Sequence, residues 1–369
     1  MPRLTQTLAA LLLGLSAAAQ AQILIGQTAG FSGPVAAGVK ETTDGAKLYL
    51  DAINSVGGIN GQKVELISLD DKFDPKLSAE NARKLITERK VTSMFLVRGT
   101  PHTQAVMPLL EEFKVPLVGP STGAMVLHDP VHPWVFNVRA TYQREAERAV
   151  AHLNLIGVDR IGVIHVDDSF GQDMLAGARK GFAAAGKNPV FVEKFTRMKA
   201  DFSTIAPLVA RSTVQAVLFI GSGNAVAEGI AAIRAQGSRA QIVTFSNNAS
   251  SGFVKLLGAN ARGVIVAQVF PYERSLATAF VKEAQEMAKA KGLAGVSPAM
   301  LEGFAAAKVL VAGLKRTPAP ITREGLRQAL NGLTRLDLGG LEVSYSPTDH
   351  TGLDFVDLSI IGADGRFMR

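Results

Sequence analysis

The chain has 369 residues, of which 47% are hydrophobic and 19% are charged, the composition of a globular protein long enough for two domains. Its formal net charge is +7, but the lysines and arginines are scattered, so nothing predicts a nucleic-acid-binding stripe. It contains no cysteine. This excludes disulfides, thiolate catalysis, cysteine-ligated metals and a lipid anchor on an N-terminal cysteine.

The first 21 residues have the pattern of a secretory signal peptide. Arg3 supplies a positive start, Leu8–Leu15 is an apolar run, and Ala19–Ala21 is a small-residue cleavage site. We therefore expect cleavage after Ala21, a mature chain that begins at Gln22, and a periplasmic location. No later segment has about 18 uninterrupted apolar residues, so we expect no membrane anchor.

After the leader, short apolar runs alternate with segments of helical periodicity. The predicted strands of this first unit are 23–27, 64–69, 91–97, 115–118 and 135–138, with helices between them. Asp74 followed by Pro75 predicts a helix N-cap with proline at the first helical position. A β-α-β alternation of this kind predicts a parallel sheet that is covered by helices on both faces.

Two loops at the carboxyl ends of these strands are candidate ligand-binding segments. Arg98–His102 follows the strand 91–97 and precedes a helix predicted to begin near Thr103, and Gly119–Ala124 follows the strand 115–118. Both loops carry glycine and hydroxyl groups. Open α/β sheets bind small ligands at such loops, and the free N–H groups of a first helical turn favour an anion.

The pattern restarts after residue 139. Further strands are predicted at 161–166, 191–195, 216–220, 242–245 and 264–269. Helices return from about residue 276, with predicted caps at Ser297 and Thr322, and a β-rich tail covers 341–361. The predicted fold class is therefore α/β, with two similar units in one chain, each a mostly parallel sheet flanked by helices.

Short motifs follow one another in a fixed order along the mature chain. They are Phe31-Ser32-Gly33-Pro34, Asn54-x-x-Gly57-Gly58-Ile59-Asn60-Gly61, Asp70-Asp71, Asp74-Pro75, Gly99-Thr100-Pro101-x-Thr103, Val115-Pro116, Ser121-Thr122-Gly123-Ala124 and Asn137-x-Arg139-x-x-Tyr142. In this order, behind a signal peptide, they resemble the type I periplasmic substrate-binding proteins of ABC importers, in the leucine/isoleucine/valine-binding family. The resemblance covers essentially the whole mature chain.

The resemblance implies two lobes that are joined by a three-strand hinge and close on a ligand. By similarity, the hinge strands lie near residues 139–141, 268–272 and 344–348. The N-terminal lobe would then comprise residues 22–139 plus 272–345, and the C-terminal lobe residues 140–271 plus 346–369.

The resemblance also implies that hydroxyl and backbone N–H groups of the first lobe bind the ligand's carboxylate. The matching residues are Thr100, Pro101, His102, Thr103, Ser121, Thr122 and Gly123. Charge-assisted hydrogen bonds of this kind contribute about 1.5–3 kcal/mol each. Helix capping is the structural alternative for Ser121 and Thr122, and a solvent-facing position is the alternative for His102. Tyr142 would line the cleft or serve only as a buried hinge residue.

The second lobe would contribute Asp168, Phe170, Gly223 and Asn247 to the site. Here the sequence departs from the family, whose members usually carry an acidic residue near position 247, to pair with the ligand's ammonium, and often aromatic residues near positions 223 and 38. A neutral amide does not replace a desolvated carboxylate. Either Asp168 or Glu273 binds the ammonium, or the ligand has none. The missing aromatic residues suggest a roomier pocket.

The resulting hypothesis is a monomeric, non-catalytic receptor that binds a small carboxylate and delivers it to an inner-membrane ABC permease. An aliphatic or branched-chain amino acid is the first expected ligand, and an aromatic or other non-amino carboxylate is the alternative. A ligand-sensing regulatory subunit could share the same fold and site. We expect no nucleic-acid partner, no metal and no cofactor, and no nucleophile–base motif predicts an enzyme.

Overall fold

The computed structural model describes residues 22–369. The predicted signal peptide, residues 1–21, lies outside the described residues. Within residues 22–369, no helix combines the length and the apolar character needed to cross a membrane.

The first lobe is built on a five-stranded parallel sheet with the strand order β2-β1-β3-β4-β5. Its elements, in chain order, are β1 (Ile23–Ala29), α1 (Ala36–Ser55), β2 (Val64–Asp70), α2 (Pro75–Thr87), β3 (Ser93–Phe95), α3 (Thr100–Glu112), β4 (Leu117–Val118) and β5 (Val135–Phe136). The predicted strands are therefore in place, but β3 is shorter than the apolar run 91–97, because Leu96 has a φ of 50° and ends the extended backbone.

The second lobe is built on a seven-stranded sheet with the order β14-β13-β10-β9-β8-β6-β7. Its elements before the chain returns are α4 (Tyr142–Leu155), β6 (Ile161–Val166), α5 (Ser169–Ala184), β7 (Val192–Phe195), α6 (Ile205–Arg211), β8 (Ala216–Ile220), α7 (Asn224–Ala235), β9 (Gln241–Thr244), α8 (Ser251–Leu257) and β10 (Ile265–Gln268). Every residue of β6 and β8 is buried, as expected for strands with helices on both faces.

The last hundred residues serve both lobes. They form α9 (Ala279–Ala290), α10 (Pro298–Arg316), α11 (Arg323–Asn331), β11 (Leu336–Asp337), β12 (Glu342–Val343), β13 (Asp357–Ile361) and β14 (Phe367–Met368). The three helices bury their apolar faces in the core of the first lobe. Strand β13 instead pairs antiparallel with β10 in the second sheet, and β14 pairs with β13.

Segments that connect the lobes run side by side. The Asn137 amide donates to the carbonyl of His350 at 3.0 Å, and the Leu353 amide donates to the carbonyl of Val138 at 3.0 Å. The hinge positions and the lobe boundaries given above stay predictions.

The predicted helix caps are present in the structure. The Thr322 hydroxyl accepts from the Gly325 amide at 3.0 Å, and the Asp74 and Ser297 side chains cap α2 and α10 in the same way. Thr278, at the N-cap of α9, has similar extended backbone angles but makes no side-chain capping bond.

This difference gives a matched pair of substitutions. Thr322→Ala is expected to lower the free energy of unfolding by about 1 kcal/mol, because a first-turn N–H loses its partner. Thr278→Ala removes the same atoms without a capping bond and should change it by less than about 0.5 kcal/mol. Urea unfolding of both variants measures the difference, and equal losses would remove capping as the cause.

Candidate functional site

The loop after β3 brings the guanidinium group of Arg98 and the uncapped N-terminus of helix α3 to the interface between the lobes. Helix α3 begins at Thr100, earlier than the predicted start near Thr103. Proline at the second helical position is compatible with this start, since its missing N–H would have no intrahelical partner. Gly99, with a φ of 96°, occupies the N-cap and provides no capping side chain. The first-turn N–H groups are therefore available to an anion.

The second predicted loop packs directly against the first. The Gly99 amide donates to the Ser121 carbonyl at 3.3 Å, and the hydroxyls of Thr100 and Thr122 are 2.7 Å apart. Ser121 Oγ accepts from Arg98 Nη1 at 2.8 Å and donates to Glu302 Oε1 at 2.7 Å. The predicted hydroxyl groups are thus brought together, but they are hydrogen-bonded within the protein.

On the second lobe, Asn247 faces these loops from the turn after β9. Its Nδ2 donates to the Gly221 carbonyl at 2.8 Å and to Ser222 Oγ at 3.0 Å. Its Oδ1 is buried without a hydrogen-bond partner among the described residues. An unsatisfied buried acceptor costs about 1–3 kcal/mol, so this oxygen is suited to accept from a bound molecule.

The two lobes are in contact across the cleft. Arg98 Nη2 donates to the Asn247 carbonyl at 2.7 Å, and the Asn224 amide donates to the Pro34 carbonyl at 3.3 Å. A Cβ added to Gly223 would overlap the Pro34 carbonyl oxygen, so this contact requires glycine. Two small cavities, of about 10 and 20 Å³, are left between the lobes.

The lining of this cleft is aromatic and cationic. Its residues are Phe73, Arg98, Gly99, Thr100, Tyr142, Phe170, Arg197, Ser222 and Asn247. The rings of Tyr142 and Phe170 meet edge to face at 4.8 Å, and the Arg197 guanidinium lies 4.9 Å from the centre of the Phe73 ring. The aromatic residues that are missing near positions 38 and 223 are thus offset by Phe73, Tyr142 and Phe170. The roomier pocket stays a prediction.

A buried ionic cluster lies behind the cleft, beside the first predicted hinge segment. The Arg139 guanidinium binds the Glu145 carboxylate and the Ser246 hydroxyl, and its Nη1 is 3.8 Å from Glu302 Oε1. The Ser246 amide donates to Glu145 Oε2 at 2.9 Å. Burial raises the pKa of Glu145, and the charge of Arg139 opposes that rise. The cluster joins α4 of the second lobe to α10 of the first.

Comparison with known proteins identifies the family. The family model described as "Periplasmic binding protein" matches residues 22–356. The chain belongs to this family. This finding also confirms the type I, two-lobed α/β fold that the motifs predict.

Similar proteins are spread over several bacteria. A relative from Brucella melitensis biotype 1, named Leu/Ile/Val-binding protein homolog 3, is 25% identical over 91% of this chain and 90% of its own. The Leu/Ile/Val-binding protein of Escherichia coli K12 is 23% identical over 78% of each chain. The crystal structure of a substrate-binding periplasmic protein from Ralstonia solanacearum is 29% identical, with a TM-score of 0.85 over 94% of this chain and 99% of that one.

The structure of this periplasmic binding protein brings only part of the predicted site to the cleft. Thr100, Tyr142, Phe170 and Asn247 line it. The other predicted residues lie behind the lining or beside it: Pro101, His102, Thr103, Ser121, Thr122, Gly123, Asp168 and Gly223. Of these, Gly223 lines a second small cavity of about 20 Å³, which Arg98 and Asn247 also line.

His102 and Thr103 are corrections to the predicted site. Both are fully buried in the first turns of α3, whereas His102 was predicted to lie in the preceding loop and Thr103 at the start of the helix. The His102 ring stacks on Phe73 at 4.4 Å, and burial lowers its pKa to about 4, so the ring is neutral at physiological pH. The Thr103 hydroxyl donates back to the Gly99 carbonyl at 2.9 Å. Similarly, Gly123 packs against the carbonyl oxygen of Ala140.

Neither proposed ammonium partner is available in the cleft. Asp168 Oδ1 accepts from the Phe170 and Gly171 amides at 3.0 and 3.2 Å, as the N-cap of α5, and its Oδ2 is paired with Arg197 at 2.5 Å. Glu273 lies outside the cleft, in a separate groove of about 710 Å³, where its carboxylate is 3.6 Å from Arg274. Asp168 and Glu273 are therefore corrected as ammonium partners, because the first is engaged as a helix cap and in an ion pair and the second lies in a different groove.

Sequence reasoning placed Arg98 in a candidate loop without naming it as a binding residue, and it missed Phe73 and Arg197 as lining residues. The local signal for Arg98 was its place at the start of the first candidate loop, directly after the apolar run 91–97. No local signal existed for Arg197, whose position depends on its pairing with Asp168, 29 residues earlier. Phe73 has a φ of 61° in the turn after β2, which directs its ring in a way that helical or strand periodicity does not predict.

Proposed function

We propose that this protein is a non-catalytic periplasmic solute receptor that binds a small carboxylate between its two lobes and delivers it to an ABC permease. The chain belongs to the periplasmic binding proteins. The observation that carries the proposal is its cleft, to which both lobes contribute polar and aromatic groups. Because a ligand there contacts both lobes only when they are together, binding favours the closed arrangement.

Two classes of carboxylate are candidates. The names of the Brucella and Escherichia coli relatives support a branched-chain amino acid. The lining of the cleft supports a carboxylate without an ammonium. Among the described residues it presents the guanidinium of Arg98, which has no ion-pair partner, and that of Arg197, which is paired with Asp168, and it includes no carboxylate.

A thermal-unfolding screen tests the proposal. The mature protein is denatured, refolded to remove any carried-over ligand, and mixed with amino acids, aliphatic acids, aromatic acids and matched amines that lack a carboxylate. A ligand at 100 times its Kd should stabilise the protein by about 2.7 kcal/mol, which raises Tm by several degrees. We expect at least one carboxylate to do so and the amines to have no effect. Stabilisation by the amines alone would contradict the proposal.

A further inference from the structure

Arg98 is a buried cation without an anionic partner. It lies in the loop that begins after β3, three residues beyond the end of the strand, and is only 6% exposed. The guanidinium donates to a serine hydroxyl and to a backbone carbonyl, both neutral groups, and it takes part in no ion pair among residues 22–369. A buried charge with only neutral partners retains much of its desolvation cost, which an anion beside it would offset.

The carboxylates nearest the cleft are already engaged. Asp168 is paired with Arg197 at 2.5 Å, and Glu145 and Glu302 share the Arg139 guanidinium. Arg98, Arg139 and Arg197 together with these three carboxylates have a formal charge of zero. The net charge of the region therefore does not select the ligand. What selects it is the lining of the cleft, where the unpaired guanidinium of Arg98 is present and these carboxylates are absent.

The rest of the lining describes the remainder of the ligand. The rings of Phe73, Tyr142 and Phe170 are each less than 5% exposed and offer an apolar surface to an aromatic or branched body. Asn247 Oδ1 is the unpartnered acceptor on this lining. A neutral amide oxygen accepts from a hydroxyl without a counter-charge, whereas a desolvated ammonium requires one.

We infer that the ligand is a carboxylate without an ammonium group, with an apolar body, whose carboxylate binds Arg98 and whose hydroxyl, where present, donates to Asn247. The inference rests on the proposed function and specifies its ligand class. Arg98 then has two alternative acceptors, the Asn247 carbonyl in the structure described here and the ligand's carboxylate when the ligand is bound. Since the two enclosed spaces are only about 10 and 20 Å³, the lobes must separate to admit the ligand.

Isothermal titration calorimetry on the refolded mature protein tests the inference with two series of compounds. Within each series the hydrocarbon part is the same and only the group beside the carboxylate changes. One series is leucine, hydroxyisocaproate, ketoisocaproate and isocaproate, and the other is phenylalanine, phenyllactate, phenylpyruvate and phenylpropionate. We expect the hydroxy or unsubstituted acid of at least one series to bind roughly 10-fold or more tightly than the amino acid. Tighter binding of the amino acid would overturn the inference and leave the proposed function standing. If no acid and no amino acid binds, the proposed function fails, and the inference fails with it.

Substitution of Arg98 tests which group meets the carboxylate. For the tightest acid, the wild-type protein should prefer the acid over its primary amide by roughly 10- to 100-fold. Arg98→Met should bring this ratio close to one. The variant loses the charge that favours the acid, and the neutral amide does not depend on that charge. Arg98→Lys keeps the charge without the planar fork and should retain part of the preference. Arg335→Met, at a side chain that is 84% exposed, is the matched control and should leave the ratio unchanged.

The acid-to-amide ratio separates recognition from a structural role, because a general loss of folding weakens both compounds equally. An unchanged ratio in a folded Arg98→Met protein would overturn the assignment of Arg98. If that variant does not refold, the Arg98→Lys ratio decides, and a ratio equal to that of the wild type would overturn it in the same way.

Discussion

Replacement of Arg139 by methionine is expected to lower the free energy of unfolding by about 3–5 kcal/mol. Arg139 is 1% exposed and is the cation shared by two buried carboxylates, Glu145 and Glu302. Methionine keeps the volume of the side-chain stem but leaves both carboxylates without the charge that offsets their burial. Urea unfolding of the ligand-free protein at neutral pH measures the loss.

The matched control is Arg83→Met. The Arg83 side chain is 52% exposed and pairs with Glu112 at 3.1 Å on the surface, an interaction worth at most about 1 kcal/mol. A loss for Arg139→Met as small as that of the control would mean that the buried cluster contributes no more than a surface ion pair.

The Arg139→Met variant should also differ from the wild type in its pH dependence. Burial already raises the pKa of Glu145 above its usual value of 4.5, and Arg139 limits that rise. When a carboxyl group has a higher pKa in the folded than in the unfolded state, the protein loses stability as the pH rises from the unfolded-state pKa through the folded-state pKa. Without Arg139 the pKa rises further, so the deficit of the variant should shrink as the pH falls from neutral through the raised pKa of Glu145 to its unfolded-state pKa. A deficit that stays constant over this range would exclude Glu145 as its source.

Gly45→Ala is the second substitution with a large expected effect, a loss of about 3 kcal/mol. Helices α1 and α10 cross in the first lobe with their backbones in contact. A Cβ at Gly45 would overlap the Met300 carbonyl, and a Cβ at Gly303 would overlap the Thr42 carbonyl. The obstructing atoms belong to the backbone, so the helices must move apart to accommodate one methyl group.

Gly38→Ala provides the control within the same helix. There the nearest atom to an added Cβ is the Ser250 hydroxyl at 3.7 Å, an ordinary van der Waals contact. Because alanine is up to about 1 kcal/mol better than glycine inside a helix, Gly38→Ala should be neutral or stabilising. Thermal and urea unfolding of both variants gives the comparison. Equal effects at the two positions would contradict a tight helix crossing at Gly45.

Much of the fold could be predicted from the sequence, because local interactions determine it. The apolar runs that form β6 and β8 are buried on both faces, so they stand out without any knowledge of their partners. The caps at Asp74 and Thr322 are satisfied within a few residues of the chain. The motif order also predicts the family, which the family match over residues 22–356 confirms.

The candidate site could be predicted only in part. The sequence indicates which loops reach the cleft, since the carboxyl ends of parallel strands lie at one edge of a sheet. It does not indicate which side chains of those loops remain available. His102 is removed from the lining by stacking on Phe73, and Asp168 is removed by pairing with Arg197.

The sequence by itself therefore determined the order of the elements, the caps, the family and the two loops of the first lobe. Only the tertiary structure decided that the lobes meet, that the carboxylates near the cleft are engaged, and that Arg98 faces the cleft as a cation. The physical reason is the range of the interactions. Arg98 donates to the carbonyl of Asn247, 149 residues later in the chain. This contact depends on how the two lobes lie against each other, which no local pattern in the sequence specifies.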